Sequence, residues 1–208
     1  MSNVNNKTLI KKLKVILLGN SGVGKSSIIL RYLKDRFIEG MLPTIGSTFM
    51  QKVIIRDNIS YYLNIWDTSG TEKYHSVTKL FLQNAHIIIL VYSIVDKQSL
   101  KGIDYWHNEV CNMLGNNFVL SIVGNKCDLF DQEEIEAISE EEGEKIAKEK
   151  NAIFKLISAK KDKKGIDTLF EQLLDEYLNI NAKNENLSQS CMTNSIDLDI
   201  VKKRKKFC

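Results

Sequence analysis

The sequence predicts an α/β fold with a mainly parallel, six-stranded sheet and helices on both faces. Short apolar runs alternate with amphipathic helical patterns along most of the 208 residues, which is typical of parallel sheets. The first run ends in a glycine-rich loop that leads directly into a helix. Only the second and third runs lie close enough in sequence to form an antiparallel hairpin.

Each element follows from local periodicity. After the first apolar run, a helical pattern continues to about Arg36. The second and third runs alternate apolar and polar residues and join at Asp57-Asn58, which predicts a hairpin turn. Amphipathic helices separate the later runs. The predicted strands are residues 13–19, 51–56, 59–65, 86–93, 118–124 and 152–157.

The later helices carry their own signals. Ser139, followed three residues later by Glu142, is a capping-box pattern, so we expect the glutamates around it to cover a solvent-facing helix. The last helix has one apolar face, because its large apolar residues recur at helical spacing. They are Ile166, Leu169, Phe170, Leu173, Leu174, Tyr177 and Leu178. From Asn179 onward the sequence is polar and aperiodic.

Composition excludes several classes of protein. The four cysteines show no close metal-ligand spacing and nothing resembles a secretory signal, so reduced cytosolic thiols fit better than disulfides. The longest apolar run, residues 87–92, is far too short to span a bilayer. The net charge of +3 hides seven glutamates within residues 133–144 and five consecutive cations from Lys202 to Lys206.

A phosphate-binding loop follows the first strand. Its sequence GNSGVGKS, Gly19 to Ser26, matches G-x-x-x-x-G-K-S between a strand and a helix. Backbone N–H groups of such a loop surround phosphate oxygens. Lys25 is expected to reach the terminal phosphates, and the Ser26 hydroxyl to bind Mg²⁺. The predicted phosphate-contacting residues are Ser21, Gly22, Val23, Gly24, Lys25, Ser26 and Ser27.

Two further segments supply groups for the terminal phosphate and its metal. In PTIG, Thr44 is expected to offer its hydroxyl to Mg²⁺ and its N–H to the phosphate. In DTSG, Asp67 is expected to hold Mg²⁺ through a water, and Gly70 allows a close N–H contact with the same phosphate. Each residue alone is a common turn residue. Their order behind a P-loop indicates a nucleoside triphosphate site.

The segment GNKCDL predicts guanine as the base. Asp128 can accept from the ring N1–H and the exocyclic amine of guanine. Asn125 can donate to the opposite edge, and the stem of Lys126 can lie on the ring. Adenine lacks both donors and would leave a buried carboxylate unpaired. A P-loop kinase or ATPase is therefore the less favoured alternative.

Two more segments complete the predicted base site. SAK, Ser158 to Lys160, follows the last strand, and the Ala159 N–H can bind the guanine carbonyl oxygen. Phe37 can close the other side of the purine, although a role in the core is an open alternative.

The motifs GNSGVGKS, PTIG, WDTSG, GNKCD and SAK, in this order, resemble the Ras superfamily of small GTPases. Within it the sequence is most similar to the Rab family through IGSTF (45–49), EKYHSVT (72–78) and LVYSI (90–94). The resemblance implies the three-layer P-loop NTPase fold. It also implies a flexible extension at residues 1–9, a small GTPase domain at 10–178, and a disordered hypervariable tail at 179–208.

The resemblance further implies a GTP-dependent switch. Its two mobile loops correspond to about residues 37–46 and 67–79. The effector-binding residues implied by the family are Ile45, Gly46, Phe49, Trp66 and Tyr74. Taken alone, the three aromatic residues among them are more often core residues.

Three departures from the family pattern bear on function. Lys25 and Thr71 are the two candidate catalytic residues. Thr71 stands where relatives usually carry the glutamine that orients water, which predicts slow hydrolysis. Met41 replaces an aromatic residue that covers the phosphates in many relatives. The chain ends KKRKKFC with the single Cys208, whereas Rab proteins mostly carry two cysteines there.

The expected activity is hydrolysis of GTP to GDP with Mg²⁺, in a switch that regulates vesicle trafficking. The alternative is a scaffold that binds GTP but hydrolyses it poorly, because of Thr71. By resemblance, the partners are effectors, an exchange factor, a GTPase-activating protein and a GDP-dissociation inhibitor. We expect a monomer without nucleic-acid partners that cycles between cytosol and the cytoplasmic face of an intracellular membrane. Prenylated Cys208 and the cations at 202–206 would hold it there.

Overall fold

The computed structural model describes the backbone of residues 9–70, 80–130 and 136–204, with side chains described as far as Lys183. The strands are β1 (Leu9–Leu18), β2 (Ser47–Arg56), β3 (Ile59–Thr68), β4 (Ile87–Ser93), β5 (Val119–Asn125) and β6 (Ile153–Leu156). They form one sheet in the order β2-β3-β1-β4-β5-β6. Only β2 and β3 pair antiparallel. The predicted six-stranded, mainly parallel sheet is confirmed.

Four long helices complete the described fold. They are α1 (Lys25–Lys34), α2 (Lys97–Leu114), α3 (Glu140–Glu149) and α4 (Lys163–Arg204), with a short 3-10 turn at Cys127–Leu129. None of the helices among the described residues is both long and apolar enough to cross a membrane. The chain divides into two units, Met1–Leu173 and Leu174–Cys208.

The structure describes the two ends of the chain only in part. β1 already includes Leu9, the last residue of the expected N-terminal extension; residues 1–8 lie outside the described part. α4 continues to Arg204, through most of the segment for which the sequence predicts disorder. From Ile166 to Cys208 the chain contains neither glycine nor proline, so no residue in this segment is a strong helix breaker.

Helices cover both faces of the sheet, as the three-layer arrangement requires. On one face, Tyr32 of α1 stacks on Phe170 of α4 with ring centroids 3.7 Å apart. The other face packs against α2 through a cluster of buried side chains, among them Ile16, Leu18, Ile88, Leu90, Tyr92, Ile103, Trp106 and Val110. Every residue of β4 and β5 is buried, as expected for parallel strands that are covered on both faces.

The structure confirms the predicted hairpin turn and the predicted helix cap. Asp57 and Asn58 have φ of 49° and 60°, the left-handed conformations that a type I′ hairpin turn requires. The Glu142 N–H donates to Ser139 Oγ at 3.3 Å, so Ser139 caps α3 as the capping-box pattern predicts. Three glutamates occupy the first turn of α3, where negative charge is favourable.

His86, the residue just before β4, joins β1 to the start of β4. The Lys14 backbone N–H donates to His86 Nδ1 at 3.0 Å, and the His86 N–H donates to the Lys14 carbonyl at 2.9 Å. Burial, and then the charge of Lys14, lower the pKa of His86 below its ordinary value of 6.5. Protonation of Nδ1 would remove the acceptor, so the neutral ring is the form that the fold stabilises.

We expect His86→Gln to weaken the pH dependence of stability. Because the folded-state pKa is lowered, the stability that His86 contributes is complete above pH 6.5 and is lost as pH falls through the folded pKa. Urea unfolding at about pH 7.5 and 5.5 measures this loss, which is expected to be smaller in the variant. Burial also lowers the pKa of His107, so His107→Gln is expected to weaken the pH dependence in the same direction and is a second case of the same effect. Equal pH dependence in wild type and His86→Gln would contradict the assignment.

Candidate nucleotide-binding site

The glycine-rich loop lies between β1 and α1, as predicted. Gly19 and Gly24 have φ of 141° and 99°, which other residues rarely adopt. A Cβ at Gly19 would overlap the Val91 carbonyl, so the loop packs directly on β4. Gly24 is the N-cap of α1, and the helix N-terminus therefore begins at the phosphate-binding loop.

Lys25 is buried beneath the loop. Its Nζ donates to the carbonyls of Gly19 at 2.7 Å and Asn20 at 2.8 Å. Burial lowers the pKa of Lys25 to about 8, although the Asp67 carboxylate acts in the opposite direction. The ammonium group is thus held at the loop that is expected to surround phosphates.

A cavity of about 110 Å³ opens above this loop. Six of the seven predicted phosphate-contacting residues line it: Ser21, Gly22, Gly24, Lys25, Ser26 and Ser27. Val23 is buried and does not line the cavity. Met41, Thr44 and Gly70 also line the cavity. A Cβ at Gly70 would overlap the backbone of Asn20 and Ser21, so glycine is the residue that permits this close approach.

Three oxygen-bearing side chains meet beside the cavity. Ser26 Oγ lies 2.7 Å from Thr44 Oγ1 and donates to Asp67 Oδ2 at 2.5 Å. Thr44 Oγ1 is 3.4 Å from the same carboxylate oxygen. The three residues come from the start of α1, the loop before β2 and the end of β3. The structure therefore brings together the three residues that the sequence predicts as metal ligands.

Asp67 lies deeper than a surface carboxylate. β3 extends past the predicted end at residue 65 because its parallel pairing with β1 continues, with Asp67 opposite Leu17. Burial raises the pKa of Asp67, and the hydrogen bond from Ser26 and the charge of Lys25 oppose this rise. Asp67 Oδ1 is buried and has no hydrogen-bond partner among the described residues. A hard, oxygen-preferring cation fits this set of donors.

A second cavity, of about 320 Å³, lies next to the first. Most of the predicted base-contacting residues line it: Phe37, Asn125, Lys126, Asp128, Ala159 and Lys160. Phe37 is half-buried and lines the cavity, which agrees with the base-facing alternative rather than a core position. Lys160 Nζ lies 6.0 Å from the centroid of the Phe37 ring and 3.0 Å from Glu39 Oε1.

Asn125, at the end of β5, joins three loops. Its Nδ2 donates to the Val23 carbonyl at 2.8 Å, and its Oδ1 accepts from the Ala159 N–H at 3.0 Å. The sequence predicts that Asn125 donates to the base and that the Ala159 N–H binds the guanine carbonyl. In the structure the Ala159 N–H donates to Asn125 Oδ1. Asn125 Nδ2 has a second hydrogen that it can donate to a base. Local sequence could not predict this link across the site.

Asp128 lies in the turn after β5, and the loop after β6 orients its carboxylate. Ser158 Oγ donates to Asp128 Oδ1 at 2.5 Å and accepts from the Lys161 N–H at 3.0 Å. Lys126, at the start of the turn, has φ of 72°. Ser158 is thus a partner of Asp128, whereas the sequence singled it out only as a nucleotide-binding residue.

The predicted effector-binding residues that are described form a partly exposed surface. The Phe49 and Trp66 rings lie 5.3 Å apart between centroids, on β2 and β3. Phe49 is 49% exposed and Ile45 is 83% exposed, so neither is a core residue. Gly46 accepts from the Ser69 N–H at 2.9 Å, which links the two predicted switch loops. Tyr74, Thr71 and Cys208 lie outside the described residues.

A P-loop, an adjacent cluster of hydroxyls and a carboxylate, and a base cavity define a nucleotide-binding protein of the P-loop class. The sequence model of the Ras family matches residues 14–179. The chain is 37% identical over 168 residues to the Ras-related protein RabQ of Dictyostelium discoideum, covering 81% of this chain and 80% of the relative.

Other relatives agree with this match. The chain is 36% identical over 166 residues to the Ras-related protein RIC1 of Oryza sativa, covering 80% of each chain. It is 34% identical over 198 residues to the GTP-binding protein ypt2 of Schizosaccharomyces pombe, covering 94% of this chain and 96% of the relative. The chain belongs to the Ras family, and within it to the Rab-type small GTPases, which act in vesicle trafficking.

Proposed function

We propose that the two adjacent cavities bind GTP and GDP with Mg²⁺. The smaller cavity would hold the phosphates, with Lys25 and the N–H groups of residues 21–27 around them. The larger cavity would hold guanine between Phe37 and the segment Asn125 to Asp128. The observation that carries this proposal is the meeting of Ser26, Thr44 and Asp67 beside the phosphate loop.

Mg²⁺ would be held by the hydroxyls of Ser26 and Thr44, with Asp67 acting through water. When bound, the ion supplies charge neutralisation at the terminal phosphates. The buried, unpartnered Oδ1 of Asp67 is an acceptor suited to a metal-bound water. Thr44 and Gly70 come from the two predicted switch loops, so a terminal phosphate contacted by their N–H groups would order both loops.

For Ser26→Asn we expect weaker GTP binding and a preference for GDP or the empty form. The variant loses a compact hydroxyl beside Asp67 and Thr44, and a larger amide takes its place. Removing that contact is expected to weaken GTP binding by about ten-fold or more, roughly 1.4 kcal/mol per decade. Titration of GTP and GDP at several Mg²⁺ concentrations measures the effect. Thr168→Asn, which replaces a half-buried hydroxyl on α4, is the matched control.

Wild-type affinity for GTP and unchanged Mg²⁺ dependence in Ser26→Asn would refute this metal assignment. The same titrations test the wider proposal, because ATP serves as the competitor. The proposal predicts that GTP and GDP displace a labelled guanine nucleotide and that ATP does not. Displacement by ATP at the same concentration as GTP would support the P-loop ATPase alternative instead.

Ras-family proteins hydrolyse GTP, and we propose that this chain does so slowly without help. Lys25 would stabilise charge on the terminal phosphates, while Thr71 stands at the position of the usual water-orienting glutamine. If unassisted hydrolysis is negligible, a GTPase-activating protein would have to complete the site. A chain that stays loaded with GTP even then would act as a scaffold.

The switch would act through the surface formed by the predicted effector residues. GTP would order the loops that carry Ile45, Gly46 and Tyr74 next to the Phe49–Trp66 pair, and hydrolysis would release them. Exposed apolar side chains on this surface suit a protein partner. We propose effectors, an exchange factor, a GTPase-activating protein and a GDP-dissociation inhibitor as partners of a monomeric chain, without nucleic acid.

Membrane attachment is proposed to require both Cys208 and the cations at residues 202–206. One lipid chain binds a membrane only marginally, and five cations add on the order of several kcal/mol near an anionic surface. The protein would then cycle between the cytosol and the cytoplasmic face of an intracellular membrane.

We expect Cys208→Ser to leave the protein in the soluble fraction of its own cells. Neutralising residues 202–206 is expected to make attachment weaker and more sensitive to salt. Fractionation of cells that express each variant measures both effects, with Cys191→Ser as the control for loss of a thiol. Membrane recovery of Cys208→Ser equal to wild type would contradict this mode of attachment.

A further inference from the structure

Arg31 makes an unusually complete set of contacts outside the predicted nucleotide-binding residues. It lies on α1, and 15% of its side chain is exposed. Nε donates to the Ala159 carbonyl at 3.0 Å, and Nη2 donates to the Lys160 carbonyl at 2.8 Å. Nη1 donates to Asp35 Oδ1 at 2.9 Å and to the Asp35 carbonyl at 3.2 Å. All three guanidinium nitrogens are therefore bound.

These contacts join two segments of the chain that lead to the lining of the base cavity. Asp35 ends α1 in a left-handed conformation, with φ of 49°, two residues before Phe37. Ala159 and Lys160 belong to the loop after β6. Phe37, Ala159 and Lys160 all line the 320 Å³ cavity. One guanidinium group thus binds the backbone of two segments that lead to the proposed guanine position.

We propose that Arg31 is a positioning residue for recognition of the base, an inference that rests on the proposed guanine site. Arg31 holds the carbonyl groups of the loop after β6, and Ser158 of the same loop donates to Asp128 Oδ1 at 2.5 Å. The orientation of the Asp128 carboxylate therefore depends on where Arg31 holds this loop. Its effect should be largest on the guanine amine, which Asp128 is proposed to read.

The other contacts of this loop bind different groups from those that Arg31 binds. The Asp162 N–H donates to the Ser158 carbonyl at 2.8 Å, and the Lys161 N–H donates to Ser158 Oγ at 3.0 Å. Asn125 holds the loop from the opposite side, through the Ala159 N–H. The ion pair between Lys160 and Glu39 is exposed, and pairs of this kind contribute little. A planar guanidinium reaches two adjacent carbonyls and a carboxylate at once, whereas a lysine ammonium is a single point charge. Lysine at residue 31 should therefore restore positioning only in part.

The test compares GDP with inosine diphosphate, which keeps the carbonyl of guanine but lacks the exocyclic amine. Dissociation rates of both nucleotides are measured in excess Mg²⁺ for wild type, Arg31→Gln, Arg31→Lys and Lys34→Gln. Lys34 is a cation in the last turn of the same helix and is the control for charge. Wild type is expected to release inosine diphosphate faster than GDP. In Arg31→Gln we expect GDP release to accelerate about ten-fold and inosine diphosphate release much less, so that discrimination falls.

Each outcome decides the inference. Arg31→Lys should give an intermediate ratio, and it keeps the test valid if Arg31→Gln does not fold. Equal acceleration of both nucleotides would show that Arg31 only stabilises the fold, and unchanged rates would show that it has no role; either result overturns the inference. If wild type binds GDP and inosine diphosphate equally, Asp128 does not recognise the guanine amine. That result would refute the proposed guanine site and, with it, the role of Arg31. A ratio that changes in Lys34→Gln as much as in Arg31→Gln would also overturn it.

Discussion

Thr71→Gln is expected to accelerate the unassisted hydrolysis of bound GTP by about ten-fold or more, which corresponds to about 1.4 kcal/mol of activation free energy per decade. In phosphoryl transfer to water the protein contributes mainly by placing the nucleophile in line and by stabilising charge on the terminal phosphate. Gly70 lines the phosphate cavity, and residue 71 is the next residue in the sequence. Residue 71 itself lies outside the described residues.

Side-chain length explains the expected gain. A glutamine amide can accept from the attacking water and donate to a phosphoryl oxygen at the same time. The threonine hydroxyl lies close to the backbone and reaches at most through a second water. Glu72 is long enough, but its negative charge would oppose the charge that develops on the phosphate.

Single-turnover hydrolysis of GTP by wild type and Thr71→Gln, each alone and with a GTPase-activating protein, tests this prediction. Thr168→Gln, at a half-buried threonine on α4, controls for the addition of an amide. No acceleration of the unassisted variant would refute the claim that Thr71 limits catalysis. Fast partner-stimulated turnover that does not depend on residue 71 would mean that the partner supplies the missing groups, and the protein would then be a switch rather than a scaffold.

Asp128→Asn is expected to weaken GTP binding and to shift preference toward xanthosine triphosphate. The carboxylate of Asp128 is proposed to accept from two guanine donors, and an amide leaves at least one of them unpaired. The expected loss is about 1–3 kcal/mol, or roughly five- to more than one hundred-fold in affinity. Xanthine has a carbonyl in place of the guanine amine, so the new amide can donate to it.

We expect Asp128→Asn to leave the conformation of the site otherwise unchanged. Ser158 Oγ can donate to the amide oxygen of an asparagine as it does to Asp128 Oδ1, so the turn after β5 is expected to keep its conformation. Competition titrations with GTP and xanthosine triphosphate measure the shift. Asp57→Asn, in the exposed β2–β3 turn, is the control for loss of a carboxylate. Equal GTP affinity in wild type and Asp128→Asn would show that Asp128 does not read the base.

Much of the fold could be predicted because its signals are local. Alternation of apolar runs with helical patterns predicts the sheet, and the dipeptide Asp57-Asn58 predicts the tight turn that the structure contains. The motif around Lys25 carries its own context, because the glycines that it requires also determine the backbone between β1 and α1. Ser139 caps α3 for the same local reason.

The remaining features depend on contacts between distant parts of the chain. Arg31 binds the carbonyls of residues 159 and 160, and His86 accepts from Lys14; neither pair is signalled by local sequence. Asn125 is recognisable as part of a base-reading motif, but its bonds to Val23 and Ala159 appear only when three loops are brought together. The extent of β3 to Thr68 likewise depends on its pairing with β1.

The guanine assignment is tested most directly by identifying the nucleotide that the purified protein carries. The protein is isolated with Mg²⁺ present, denatured with acid, and the released nucleotide is separated and quantified beside that from Asp128→Asn. This assignment predicts about one guanine nucleotide per chain in wild type and markedly less in the variant. A stoichiometric adenine nucleotide in wild type, or equal guanine nucleotide in both proteins, would contradict it.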